Sequence, residues 1–73
     1  MNKKMNSMVK EAKELLSDYL EQNTYDFSID NFFAFDNFIV FNVTEYCNSN
    51  YDLIVANING TLKIFNNKME NLI

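Results

Sequence analysis

The stretch from Phe38 to Phe65 constrains the fold of this chain most, because it holds three β-rich runs separated by two turn signals. The second turn signal, Asn59-Gly60, lies between runs of alternating apolar residues. Asn and Gly best tolerate the positive φ that a type I′ turn requires at both central positions, so this dipeptide is the strongest short-range hairpin signal. The stretch predicts a three-stranded antiparallel meander with strands at 38–46, 51–58 and 61–66.

The two connections decide which side chains share a face of this predicted sheet. The two-residue Asn-Gly turn pairs Val55 with Ile64. For the first connection, around 48–50, we favour a three-residue loop that pairs Cys47 with Tyr51. A two- or four-residue loop would turn the first strand over, since a slip of one residue exchanges the faces. The favoured loop gathers the larger apolar core on one face: Ile39, Phe41, Val43, Leu53, Val55, Leu62 and Ile64.

The N-terminal segment predicts an amphipathic helix over about residues 5–22, because apolar residues recur at steps of three and four and neither Pro nor Gly interrupts them. The apolar stripe consists of Met5, Met8, Ala12, Leu15 and Tyr19, widened by Val9, Leu16 and Leu20. We expect the stripe to lie on the sheet, with Leu15, Leu16 and Tyr19 in the core. The alternative is that the seam from Met5 to Tyr19 meets a second copy of the chain.

The segment from Tyr25 to Phe35 is ambiguous, because its pattern fits either a fourth strand or a flap that closes one side of the core. After the meander, the Asn pair at 66–67 breaks the sheet, and residues 67–73 form a short tail. Residues 1–73 are therefore predicted to form a single α+β domain. In this domain an N-terminal amphipathic helix packs on a three- to four-stranded antiparallel meander sheet that spans about 38–66.

The composition provides few of the residue types that catalysis or cofactor binding requires. Without His the chain lacks the usual general base and the commonest zinc ligand, and without Arg it lacks the bidentate phosphate clamp. Its one Gly excludes a phosphate-cradling glycine loop. Because Cys47 is the only cysteine, a disulfide framework is excluded, and we interpret Cys47 as a structural or loop thiol. We predict a protein that is not an enzyme, with no catalytic residue, cofactor or metal site.

The distribution of charge is one-sided, since the 49 residues from Glu14 to Leu62 contain eight acidic residues and no basic residue. A compact fold must then present a negative surface, which attracts basic partners, although acidity also serves solubility alone. Six Lys against ten acids disfavour direct binding of nucleic acid. The candidate partner-binding acids are Glu14, Asp18, Glu21, Asp26, Asp30 and Asp36.

The first three of these acids lie in the C-terminal half of the predicted helix, while the basic residues of the helix lie in its first half. This arrangement opposes the helix dipole. Places where a sequence breaks such local rules are enriched in functional sites.

The sheet face that points away from the helix is the alternative interface. The predicted register places Phe38, Val40, Ile54, Ile58 and Phe65 there, a patch large enough to suggest binding. Three covers compete for this patch: the Phe-rich segment 25–35, a second copy of the chain, or a foreign protein. We expect the Phe-rich segment to cover it, with homodimerisation as the second choice.

The chain resembles small phage-encoded inhibitors in size, acidity and helix-then-meander layout. It also resembles them in a bias toward Asn, Lys, Ile, Phe and Tyr, which indicates an AT-rich bacterial or viral source. These include anti-CRISPR proteins and other DNA mimics. The resemblance concerns the layout of the whole chain and points to no particular residue. It implies an inhibitor that binds, in the cytoplasm of a bacterial host cell, a basic and nucleic-acid-binding surface of a host defence or DNA-processing protein.

Two other functional classes fit the same sequence: a structural or regulatory homo-oligomer, and a small antitoxin or subunit of a larger complex. No unbroken apolar run exceeds four residues, so the sequence predicts neither a signal peptide nor a membrane span.

Overall fold

The computed structural model describes the backbone of residues 3–45 and 49–73 and the side chains of residues 7–45 and 49–73. Over these residues the chain forms one helix packed on a four-stranded antiparallel sheet, which confirms the predicted α+β class. The elements are α1 (Lys3–Asn23), β1 (Phe27–Ala34), β2 (Phe38–Glu45), β3 (Ser49–Ile58) and β4 (Thr61–Asn66). The strands lie in chain order across the sheet, so the sheet is a meander. Among the described residues, no helix combines the length and the apolarity that crossing a membrane requires.

The turn between β3 and β4 forms as its sequence predicts. Asn59 and Gly60 have φ values of 54° and 87°, the positive values that a type I′ turn needs. Ile58 pairs with Thr61, and the predicted pairing continues along both strands. The side-chain Oδ1 of Asn57 accepts a hydrogen bond of 2.8 Å from the backbone N–H of Gly60. The amide of Asn57 therefore helps to fix the turn.

The pairing between β2 and β3 keeps the predicted faces but differs in register from the prediction. Glu45 pairs with Ser49, so the connection begins two residues earlier than expected, and Tyr51 pairs with Val43. The predicted pairing would have set Ile39 opposite Asn59 in the next turn and left the start of β2 without a partner. The observed register instead pairs all eight residues of β2. Tyr46 and Cys47, assigned by the sequence to the strand end and to a pair with Tyr51, lie outside the described residues.

The ambiguous segment after the helix forms a fourth strand, β1, at the edge of the sheet. A β-bulge at Asp30 separates the pair of Ile29 with Val43 from the pairs that follow. The bulge reverses the alternation of faces, so that Ile29 and Phe32, three residues apart, both lie on the helix side. Phe32 packs against Phe41 there, with ring centroids 5.8 Å apart.

The expectation that the Phe-rich segment covers the other sheet face is wrong. A tight turn joins β1 to β2, in which the N–H of Phe35 donates a 2.8 Å hydrogen bond to the carbonyl of Phe38. This turn holds β1 beside β2 in the plane of the sheet, where it extends the sheet instead of covering it.

The core lies between α1 and the sheet. Its buried residues are Ala12, Leu16, Leu20, Ile39, Phe41, Val43, Leu53, Val55 and Ile64. The contact line of the helix thus runs through Ala12, where a small side chain lets the helix approach the sheet closely. The predicted core residues Leu15, Tyr19 and Leu62 are only half-buried, packed against the edge of this core. The side chain of Met5, assigned to the same stripe, lies outside the described residues.

The C-terminal tail folds back along β4. The N–H of Leu72 donates a 2.7 Å hydrogen bond to the carbonyl of Ile64, and Phe65 forms a bridge with Asn71. The side chain of Asn66 accepts hydrogen bonds from the N–H groups of Lys68 and Glu70, which closes the reversal. The tail therefore occupies the edge of β4, while β1 forms the other edge of the sheet.

Replacing Leu16 by Ala should lower the free energy of unfolding by roughly 2–5 kcal/mol, because Leu16 is fully buried and its loss leaves a cavity. Leu15→Ala should cost clearly less, since Leu15 is half-buried. Urea denaturation followed by circular dichroism measures both. Equal losses of stability in the two variants would contradict the observed orientation of the helix, in which Leu16 is buried and Leu15 lies at the edge of the core.

Candidate interaction surfaces

Three of the six candidate acids form a single ridge on α1. Glu14, Asp18 and Glu21 follow one another at steps of four and three residues, so they lie above one another on the same side of the helix. All three are exposed. Their side of the helix is opposite to the line that packs on the sheet. We call these three residues the acidic ridge.

The acidic ridge does not stabilise the helix that carries it. The first turn of α1 contains no acidic residue and the last turn contains no basic residue, which is the reverse of the arrangement that the helix dipole favours. Glu14 and Asp18 also repel each other as like charges four residues apart. The end of the helix is capped instead by a neutral group, since Asn23 Nδ2 donates a 2.7 Å hydrogen bond to the carbonyl of Tyr19. Helix stability therefore does not account for the ridge.

The other three candidate acids are dispersed. Asp26 precedes β1 and Asp36 follows it, and a strand of eight residues separates them by about 26 Å. Asp30 lies within β1 on the outer face, by which we mean the side of the sheet opposite α1. The structure thus brings together the acids of the helix but not all six.

Asp30 has structural partners of its own. The Ser28 hydroxyl donates a 2.9 Å hydrogen bond to one carboxylate oxygen, and the Thr44 hydroxyl donates to the other. These hydrogen bonds, that from Thr44 above all, hold the pKa of Asp30 below its ordinary value of 3.8, against a small opposing effect of desolvation. Asp30 thereby ties the bulge of β1 to the neighbouring strand β2.

The part of the outer face near Asp30 is polar, and its side chains bond to one another. Asn42 Nδ2 donates hydrogen bonds to Asp52 Oδ1 at 3.0 Å and to Asn50 Oδ1 at 3.2 Å. Asn50 Nδ2 donates in turn to Asn42 Oδ1 and Thr44 Oγ1, both at 3.0 Å. Within the described residues, no group of three or more carboxylate or thiol side chains is placed to hold a metal ion. We call Ser28, Asp30, Asn42, Thr44, Asn50 and Asp52 the polar half of the outer face.

The rest of the outer face is apolar across all four strands. Strand pairing aligns Phe33 with Val40, Val40 with Ile54, and Ile54 with Phe65, which gives an unbroken apolar row. A second row consists of Phe35, Phe38, Ala56 and Lys63, in which the rings of Phe35 and Phe38 stack with centroids 4.7 Å apart. We call these two rows, together with Ile58, the apolar half.

The structure places all five residues of the predicted apolar interface in this half. The sequence missed two further members, Phe33 and Phe35, because it left the segment from Tyr25 to Phe35 ambiguous and favoured it as the cover of this face. Four side chains are substantially exposed: Phe33 at 64%, Phe35 at 49%, Ile58 at 45% and Phe38 at 38%.

On the helix side of the sheet, burial raises the pKa of Tyr51 to about 12, with further contributions from its hydrogen bond to Glu45 and from the charges of Glu45 and Tyr19. The phenol therefore remains neutral at physiological pH and takes part in packing.

Comparisons of the chain with models of protein families, with curated proteins and with solved structures give no match.

Thr44→Val should raise the pKa of Asp30 toward 3.8, because it removes the hydroxyl that donates to the carboxylate, while Thr44→Ser should keep the pKa low. Carbon-detected NMR titration measures this directly. Since the pKa of Asp30 is lower in the folded state, its stabilising effect exists above pH 3.8 and disappears as the pH falls through the lowered value. An unchanged pKa in the Val variant would contradict the assigned bond.

Proposed function

We propose that this protein is a non-enzymatic module that binds a basic surface of another protein through the acidic ridge. The observation that supports the proposal is the alignment of three exposed carboxylates on the side of the helix opposite the sheet, the last of which, Glu21, lies in the last turn and opposes the helix dipole. A helix selected for stability alone carries its acids in the first turn and its basic residues in the last. Positions where a sequence departs from such local rules are enriched in functional sites.

The ridge fits a partner that normally binds nucleic acid. Neighbouring acids on the ridge lie roughly 5–6 Å apart, and the row projects from the convex surface of a helix. A basic groove that accepts a row of phosphates offers Lys and Arg at positions where a row of carboxylates can replace them. In this proposal the protein is a stoichiometric inhibitor of the anti-CRISPR or DNA-mimic kind, and its target is a host defence or DNA-processing protein.

Neutralising the ridge should weaken binding more than neutralising other acids does. The ridge variant is Glu14→Gln, Asp18→Asn and Glu21→Gln. The matched control is Asp26→Asn, Asp36→Asn and Asp52→Asn, which changes the net charge equally at three exposed positions. Because Asn retains an Oδ1 acceptor, the control keeps an acceptor for Asn42.

Proteins captured from a bacterial lysate by the immobilised wild type would be purified and their binding kinetics measured as a function of salt. The ridge variant should associate at least about tenfold more slowly at low salt and respond less to salt, while the control stays within about twofold of the wild type. Duplex DNA should compete with the wild type for the captured protein. Equal losses of association rate in both variants would show that net charge alone sets the rate. No loss in the ridge variant would contradict the proposal.

The ridge variant should also be at least as stable as the wild type. Removing Glu21, which opposes the dipole in the last turn, together with the repulsion between Glu14 and Asp18 should raise the free energy of unfolding by a total of about 1 kcal/mol. Thermal denaturation measures this change. A clear loss of stability would assign the ridge a structural role and remove the observation on which the proposed function rests.

A further inference from the structure

The apolar half of the outer face is a surface that the described part of the chain leaves open. The tail lies along the edge of β4, and β1 lies in the plane of the sheet. The three exposed phenylalanines of this half leave roughly 300 Å² of aromatic surface in water. An antiparallel sheet with one solvated face normally carries polar residues on that face. Here the rule holds only for the polar half.

The rows of the apolar half are complementary to themselves. A two-fold axis parallel to the strands exchanges β1 with β4 and β2 with β3. The row Phe33, Val40, Ile54, Phe65 then lies on the same row of a second copy. In that arrangement the Phe33 ring meets the partner copy's Phe65, and Val40 meets the partner copy's Ile54. In the polar half, Asn42 likewise meets the partner copy's Asp52, and Thr44 meets the partner copy's Asn50.

The charges on this face are complementary under the same axis. Lys63 is the one basic residue on the outer face within the described residues, and it ends the second row on β4. Phe35 ends that row on the opposite edge, followed directly by the exposed Asp36. Exchanging the two edges brings Lys63 of each copy to the Phe35–Asp36 corner of the other. There its ammonium group can pair with a carboxylate and contact an aromatic ring.

From these observations we infer that a second copy of the chain covers the outer face, giving a homodimer with the two sheets stacked in the centre and the helices outside. The four strands and four residue rows of this face measure about 500 Å² in projection. Two copies would then bury on the order of 1,200 Å² together, the lower limit for specific interfaces. A dissociation constant of about 1–100 µM fits an interface of this size.

Sedimentation equilibrium over about 1–500 µM protein tests this inference. The wild type should pass from 8.6 kDa to twice that mass. Phe33→Gln should weaken association at least about tenfold, since the exposed Phe33 ring meets the partner copy's Phe65 in this arrangement and its exposure makes the substitution harmless to the fold. Tyr25→Gln is the matched control, because Tyr25 is fully exposed outside this face, and it should dimerise as the wild type does.

A charge exchange tests the orientation of the two copies. Lys63→Glu and Asp36→Lys should each weaken dimerisation, and the double variant should restore it to within about threefold of the wild type. The ridge variant should dimerise normally, so a failure of the proposed function leaves this inference standing. A mass of 8.6 kDa at every concentration would overturn it, as would a dimer indifferent to Phe33→Gln or a double variant no better than the single ones.

Discussion

The structure depends on one constraint: a single helix of 21 residues can cover one face of a four-stranded sheet and not both. Ala12, Leu16 and Leu20 bury themselves completely against the apolar residues on one side of β2, β3 and β4. Folding alone therefore covers only one face of the sheet. The outer face leaves Phe33 and Phe38 exposed to water, and such a surface is costly unless something is bound to it.

How much of this fold the sequence predicts depends on how far apart in the chain the residues that determine each feature lie. The Asn59-Gly60 turn is set by the backbone preferences of two residues, and its register follows directly. The connection between β2 and β3 is set by how completely two whole strands pair, so its position was wrong by two residues while its parity was right. The sequence therefore predicts a turn that the backbone preferences of two neighbouring residues determine. It does not predict which of several strand registers pairs most completely.

The bulge at Asp30 illustrates the same limit. Asp30, the bulged residue, accepts hydrogen bonds from Ser28 and from Thr44, the second of which is distant in sequence. Periodicity alone could not reveal the bulge. It left the segment 25–35 as either a strand or a flap, so Phe33 and Phe35 were not assigned to the outer face. The orientation of α1 was predicted only in part. The sequence placed Leu15 and Tyr19 on the central stripe and Leu16 and Leu20 on its flank, whereas the structure buries Leu16 and Leu20 beside Ala12.

The two candidate surfaces differ in how well the sequence locates them. Alternation along strands places Phe38, Val40 and Ile54 on one face in every register of the same parity, because slips of two residues preserve the faces and slips of one exchange them. Charge has no such periodicity: the acids at 26, 30 and 36 are close in sequence, yet an extended strand spreads them along its length. Only helical spacing keeps Glu14, Asp18 and Glu21 together.

The position of the helix connects the two proposals. In a dimer that stacks the outer faces, each α1 lies on the far side of its own sheet, so the two acidic ridges face outward, roughly 40 Å apart. Neither ridge is hidden by dimerisation. The apolar half then serves association between copies, while the ridge remains open to a partner. A partner with two basic sites would bind such a dimer more tightly than it binds one copy, because the second contact is intramolecular.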